Sequence, residues 1–242
     1  MVDKRVSIII PVYNESKGIG ALLSVLAPLQ SRCEILFVDG GSGDDTVNLL
    51  EERGDVVIRS PKGRANQMNH GATAASGEIL WFLHADSIPP KDAVSQIHEV
   101  LGEGYRIGCF PIKFSGNHPF MRIHAFLSNN LRTRILNIAF GDQGIFLHRS
   151  LFEELGGYAP IPLMEDYKLS MDARKAGYSI GMAKGKIITS DRRYQANGRL
   201  KTMWRMQMLQ RRFRRGDNID EIAKAYNSMR RNGVSSNNKA SQ

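Results

Sequence analysis

The chain is poor in cysteine. Cys33 and Cys109 are the only two, and neither falls in a CxxC or other metal spacing. A disulfide framework and a cysteine-built zinc site are therefore disfavoured, and the apolar neighbours of both make them small core residues. Long apolar runs are missing too. No stretch of 18 apolar residues occurs, so nothing reads as a membrane span. The opening MVDKRVSIIIPVYNE has a short apolar run broken by Pro11, the pattern of a first strand rather than a signal peptide. A reducing, cytoplasmic compartment is the default that follows. No GxGxxG turn follows the first strand and no GxxxxGK[ST] loop occurs, which removes the main support for hydride transfer and simple NTPase chemistry. The Gly-rich, Arg-containing loop of a nucleotidyltransferase, an RNP1-type signature and internal repeats are absent as well.

What is present suits one large α/β domain or two small ones: 242 residues, 42% of them hydrophobic. The net charge of +9 is unevenly placed. Residues 1–191 hold 20 Lys and Arg against 21 Asp and Glu, whereas residues 192–242 hold 13 against 3. The whole basic excess lies in the last fifth of the chain, which points to an anionic partner for that end.

The first half alternates. Apolar runs at 6–10, 34–38, 56–58 and 78–83 read as strands. Between them, Ile19, Leu22, Leu23 and Leu26 share a helical face, Val47 and Leu50 mark a second helix, and 63–76 is a helix of small residues. Ala93, Ile97, Val100 and Leu101 mark a fourth helix. Strands alternating with helices imply βαβ units and a mainly parallel sheet. The second half is less regular. One strand is expected over 107–114 and another over 145–148. An amphipathic helical region is expected over 120–140, with Phe120, Ile123, Leu127, Leu131, Ile135 and Ile138 in register. Helices follow at 165–176, 199–215 and 218–230. The reading is one domain over 1–232, with basic helices from about 198, and a polar, disordered tail over 233–242.

Six motifs stand in order: SIIIPVYNE at 7–15, EILFVDGGSGDDT at 34–46, GRANQMNHGA at 63–72, ILWFLHADS at 79–87, GDQGIFLHRSLFEELGGY at 141–158 and MEDYKLSMDARKAG at 164–177. Together they resemble the family 2 glycosyltransferases of the GT-A fold, over residues 5 to about 230. GRANQMN, LHAD, GDQG and TSDRRY resemble most a bacterial subgroup catalogued as radical-SAM/selenodomain-associated transferases. The resemblance implies an open mixed α/β sheet with helices on both faces, C-terminal helices and a nucleotide-sugar donor, most readily a UDP-sugar.

It also implies roles. Pro11, Val12, Tyr13, Asn14 and Glu15 would cup base and ribose, though such a stretch is also a plain strand-to-helix loop. Asp39 ends a strand where α/β sheets bind ligands, and Gly40 behind it lets backbone approach. Arg64 would pair with diphosphate or stand in water, and Gln67 and Asn69 lie in the same motif. In the resembled family a D-x-D motif holds a divalent cation, Mn²⁺ or Mg²⁺. Here it reads His84-Ala85-Asp86, so Asp86 is the carboxylate ligand and His84 is either a second ligand or a sugar-bonding side chain. Asp166 matches the general base of inverting transfer, with Glu165 as its alternative. Gly141, Asp142 and Gln143 would shape the pocket, and Arg192, Arg193 and Tyr194 would either close over the diphosphate or form a solvated basic turn.

Two other classes compete: a catalytically silent nucleotide-sugar-binding module, for which the missing first Asp speaks, and a nucleic-acid-binding protein, against which the confinement of the basic excess speaks. RLKTMWRMQMLQRRFRR at 199–215 reads either as a docking helix or as a helix on an anionic membrane that presents a lipid-linked acceptor. No nucleic-acid partner is expected.

Overall fold

The computed structural model describes residues 5–237, without the side chains of Arg193 and 229–237. The first half is built from β1 (Val6–Val12), α1 (Ser16–Leu26), β2 (Cys33–Asp39), α2 (Thr46–Glu51), β3 (Val56–Arg59), α3 (Arg64–Ala74), β4 (Ile79–Phe82) and α4 (Ala93–Gly102). The second half holds β5 (Ile107–Cys109), β6 (Ile112–Phe114), α5 (Pro119–Leu127), β7 (Phe146–His148), α6 (Arg149–Glu154) and α7 (Glu165–Lys175). It ends in β8 (Ile180–Met182), β9 (Ile187–Thr189), α8 (Arg192–Asn197), α9 (Arg199–Arg215) and α10 (Ile219–Asn237).

Seven strands form one sheet in the order β3-β2-β1-β4-β7-β5-β8. β1 through β4 run parallel. Strands buried on both faces, as β1 and β4 are, read as unbroken apolar runs; β3 is a part-exposed edge strand. Period two splits β1 between the layers. Ile8 and Ile10 face α1 and α4, with Leu22, Leu26 and Ile97. Ile9 faces α3, α6 and α7, with Met68, Leu151 and Leu169.

β7 runs antiparallel between β4 and β5. The loop that enters it, a 3₁₀ turn over Gly141–Gln143, therefore stands at the rim where β1, β2 and β4 end. Open α/β sheets bind ligands at that rim.

Two expectations are corrected here. The single strand over 107–114 is two, broken at Phe110 and Pro111: β5 joins the large sheet, while β6 pairs with β9 in a separate ribbon. The region 120–140 is not one amphipathic helix either. α5 ends at Leu127, a π-helical stretch continues over Ser128–Ile135, and the register slips. α5 buries Met121 and Ala125 against Ile112 and Phe114, so Ile123, Leu127, Leu131 and Ile135 face outward. The sequence showed the stripe; β6 had already chosen the opposite face. α6, α8, β8 and β9 are too short to be seen as periodic patterns. α10 runs through 233–237, into the stretch read as a tail; 238–242 lie outside the described residues.

Candidate active site

The loops after β1 and β2 are tied to each other. Asn14 has a left-handed backbone, φ 55°, which its short amide side chain tolerates. Its Oδ1 accepts from the Gly43 N–H at 2.8 Å, and its own N–H donates to Ser42 Oγ at 2.9 Å. The Glu15 N–H donates to Thr46 Oγ1 at 2.8 Å. Pro11 and Val12 remain within β1. Tyr13 is exposed at the strand end, with Lys62 Nζ 4.0 Å from its ring centroid. Asp39 is 1% exposed and folds its own loop. Its Oδ2 accepts from the Gly41 N–H at 2.9 Å, its Oδ1 accepts from the Ser42 N–H at 3.1 Å, and Arg59 Nη1 lies 3.5 Å from Oδ2.

Three amides assigned to the donor by their motifs have their polar atoms turned to protein. Gln67 is buried, and its Nε2 donates to Val12 O at 2.8 Å and Val38 O at 2.7 Å, clamping the ends of β1 and β2. Gly40 stands against it: a Cβ there would fall 2.9 Å from Gln67 Cδ. Asn69 brackets Tyr158, donating to its O at 2.8 Å and accepting from its N–H at 2.9 Å. Gln143 is wholly buried, and its Oε1 accepts from Arg132 Nη2 at 2.8 Å and from the Phe140 N–H at 3.2 Å. Gln67→Leu keeps the volume and removes both buried bonds, leaving the Val12 carbonyl only the Gly40 N–H at 3.1 Å. It is expected to lower stability by about 1–3 kcal/mol, read as a lower urea midpoint at unchanged slope. A wild-type midpoint would return Gln67 to the ligand-facing set.

The acids gather at the same rim. α7 starts at Glu165 after Met164, a non-glycine residue at φ 68°. Both acids of its first turn are buried. Asp166 Oδ2 accepts from the Gly141 N–H at 2.7 Å and Oδ1 from the Tyr167 N–H at 2.7 Å. A Cβ on Gly141 would collide with His84 Nε2 and stand 3.3 Å from Asp166 Oδ2, so imidazole and carboxylate flank one glycine. Arg64 Nη1 lies 3.5 Å from Glu165 Oε1. Burial works against the Arg64 charge, but Glu165 and Asp166, with Tyr226 and Asp86 behind them, outweigh it and raise its pKa. Asp86 is exposed in the turn after β4, and Ala85 and His84 are half-buried. Arg192 is exposed on α8, its Nε donating to Ser190 Oγ at 3.1 Å. The Arg193 side chain lies outside the described residues. The rim thus brings together Arg64, His84, Gly141, Glu165 and Asp166, and Arg64 feels the Asp86 charge more weakly.

Burial and the neighbouring Asp166 push the Glu165 carboxyl up from 4.5 to about 6, with Arg64 pulling the other way. An acid whose pKa is higher in the folded chain holds its proton more tightly there. The folded state therefore loses stability as pH rises from 4.5 to about 6, and no further above that. Glu165→Gln removes this titration. The stability of the variant relative to wild type is expected to grow by about 2 kcal/mol across the window, measured by urea unfolding below and above it. Parallel pH curves would show that residue 165 carries no such shift.

The profile of Glycosyl transferase family 2 matches residues 7–156, more than half of the chain. The chain belongs to this family. The match is to the family as a whole, and it ends before Glu165 and Asp166. Among curated family relatives, the undecaprenyl-phosphate 4-deoxy-4-formamido-L-arabinose transferase of Klebsiella pneumoniae (strain 342) is 28% identical over 156 residues, 60% of this chain and 48% of that protein. The chain spans about half the length of the curated relatives it matches. Among solved structures, Staphylococcus aureus TarS 1–349 in complex with UDP-GlcNAc aligns at TM-score 0.61 and 18% identity, over 77% of this chain and 58% of that one. Mycobacterium tuberculosis glucosyl-3-phosphoglycerate synthase with Mn²⁺, UDP-glucose and phosphoglyceric acid aligns at 0.56 and 20%, over 74% and 69%. These likenesses establish the GT-A fold.

Arg132 is the site-side residue that sequence reading missed. It lies on the π-helical stretch, its Nη2 held by Gln143, with its guanidinium carbon 4.2 Å from the Phe140 ring centroid. Burial presses most on its charge, and Asp142 and Asp166 are among the acids that offset it. An arginine within an amphipathic pattern reads as solvated, so no sequence signal marked it.

Proposed function

We propose that this chain is an inverting glycosyltransferase that moves a sugar from a UDP-sugar to a hydroxyl of a lipid-linked acceptor, with Mn²⁺ or Mg²⁺ as cofactor, at the periphery of an anionic membrane. The observation that carries the reading is the meeting of Arg64 with Glu165, Asp166 and Asp86 at the rim where β1, β2 and β4 end. A guanidinium suits a diphosphate, and a held carboxylate suits a base. TarS is named with UDP-GlcNAc and the mycobacterial synthase with Mn²⁺ and UDP-glucose. The Klebsiella relative is named for undecaprenyl phosphate.

Tyr13 and Lys62 frame the base, and the loop folded by Asp39 lies under the ribose. Arg64 bonds the diphosphate, and Arg192 approaches it from α8. Asp166 takes the acceptor proton as that oxygen bonds the anomeric carbon. The bond from that carbon to the diphosphate breaks on the opposite face, which inverts the sugar and releases UDP. The Gly141 and Tyr167 amides fix the carboxylate, and each of its oxygens keeps a lone pair for the proton. Glu165 holds Arg64 in place.

The residues fit a cation completed by its substrate rather than one caged by protein. Among the described residues no three His, Cys, Asp or Glu side chains form a metal group. Exposed Asp86 would be the anchor and diphosphate oxygens and water the remaining ligands. His84, if it turned from Gly141 to the cation, would favour Mn²⁺ over Mg²⁺. A cation bound there would neutralise charge on the departing diphosphate.

The test is a panel of nucleotide sugars, with and without Mn²⁺, read by thermal shift and by UDP release. One UDP-sugar is expected to raise Tm in the presence of Mn²⁺. No shift and no UDP release with any donor would overturn the reading.

A further inference from the structure

The outward face of α5 and its π-helical continuation forms an apolar ridge. Ile123 is 59% exposed, Phe126 65% and Ile135 71%, with Leu127, Leu131 and Leu136 exposed beside them. Six large apolar side chains on one short arm are more than scattered surface hydrophobics, and contiguous exposure of this kind marks an interaction surface. The segment's own charge has one sign. Residues 104–141 contain no Asp or Glu, and Arg122 and Arg134 stand exposed on the ridge itself.

The ridge also adjoins the site. Its inner side carries Arg132, which bonds Gln143 of the Gly141–Gln143 turn, and Gly141 holds Asp166. Through Tyr194, whose ring lies 5.4 Å from His124 and 5.5 Å from Phe114, the arm touches α8. α9 follows at once and presents a second exposed stripe, Leu200, Trp204 and Met208. Residues 192–216 are likewise free of Asp and Glu. Among the described residues no helix is long and apolar enough to cross a membrane.

We infer that the α5–π ridge seats on an anionic lipid surface, apolar side chains in the acyl boundary and arginines among the headgroups. The inference rests on the lipid-linked acceptor reading and adds where the contact is made. Basic residues flanking Phe, Leu and Ile are the composition that lies in the interface plane. Charge complementarity decides the occupant: two copies of a carboxylate-free basic ridge repel each other, whereas an anionic leaflet attracts it. Seated so, the π-helical stretch, and Arg132 with it, lies between the lipid and the base. A lipid-linked hydroxyl would reach Asp166 without leaving its leaflet.

The test is co-sedimentation of the full chain with phosphatidylcholine vesicles and with mixed phosphatidylcholine–phosphatidylglycerol vesicles, at low and high salt. Wild type is expected to prefer the anionic vesicles at low salt. The triple variant Ile123→Ser, Phe126→Ser, Ile135→Ser is expected to lose about tenfold or more of that binding. Its UDP-sugar thermal shift should be unchanged, because all three side chains are exposed and none belongs to the loops that frame the donor. The comparison variant Leu200→Ser, Trp204→Ser should keep most of the vesicle binding. Failure of wild type to bind anionic vesicles would overturn the inference. So would loss in the α9 variant with none in the ridge variant, or a self-association by sedimentation velocity that the ridge variant abolishes. Vesicle binding is read without donor, so the two proposals fail separately.

Discussion

Asp166→Asn is expected to lower turnover by about 10²–10⁴-fold, the usual contribution of a general base, while leaving UDP-sugar affinity close to wild type. The amide keeps the shape of the carboxylate and one carbonyl oxygen for the Gly141 or Tyr167 N–H, so the turn stays in place. It cannot take a proton. Glu165 stands next to it with a raised pKa, which by itself makes a better base near neutrality. Geometry argues the other way. Glu165 faces Arg64, and neutralising it would loosen the guanidinium that the diphosphate needs. Turnover should therefore fall in both variants for different reasons. Glu165→Gln should raise KM for the donor, and Asp166→Asn should lower kcat with little change in KM. If the two kinetic signatures are exchanged, the base is Glu165.

Asp86→Ala should abolish the Mn²⁺-dependent part of UDP binding. The chain offers one exposed carboxylate in the turn after β4, so its loss leaves only phosphate and water. The effect should be at least the ~10–100-fold that even an outer-shell change costs a metal site. Calorimetry with UDP, with and without Mn²⁺, reads it directly. Equal affinities for variant and wild type would remove Asp86 from the metal site. His84→Asp should tighten Mn²⁺ and Mg²⁺ binding if residue 84 turns to the cation. Unchanged metal affinity would leave His84 as a neighbour of Gly141 and Asp166 alone.

β1 and β4 were legible because burial on both faces writes an unbroken apolar run, while β3, a part-exposed edge strand, showed only as the short run 56–58. The strand pattern then put Asp39 and Asp86 at or just after strand ends. The arm from α5 was not legible, because a 3.6-residue stripe says which residues share a face and not whether that face is covered. β6 covers Met121 and Ala125 instead. The amides divide in the same way. Gln67, Asn69 and Gln143 look like ligand-binding residues in sequence, and each donates to a carbonyl far away in the chain. An amide's role depends on its partner. The acid pair opening a helix was legible as an element, and both carboxylates are buried in its first turn.

The groups at this rim are held mostly through main chain. Asp166 is fixed by the N–H groups of Gly141 and Tyr167, Asp39 by those of Gly41 and Ser42, and Gln67 by the carbonyls of Val12 and Val38. A bond to main chain does not depend on which side chain its partner residue carries. Substitutions that leave the main chain in place can therefore accumulate, in nature or in directed evolution, without moving the acid or the loop beside it. Gly40 and Gly141 are the exceptions, since any Cβ there collides with Gln67 or His84. The result is an evolvable site, in which donor and acceptor preference can be retuned by surface substitution while the positions of the reacting groups are inherited from the backbone.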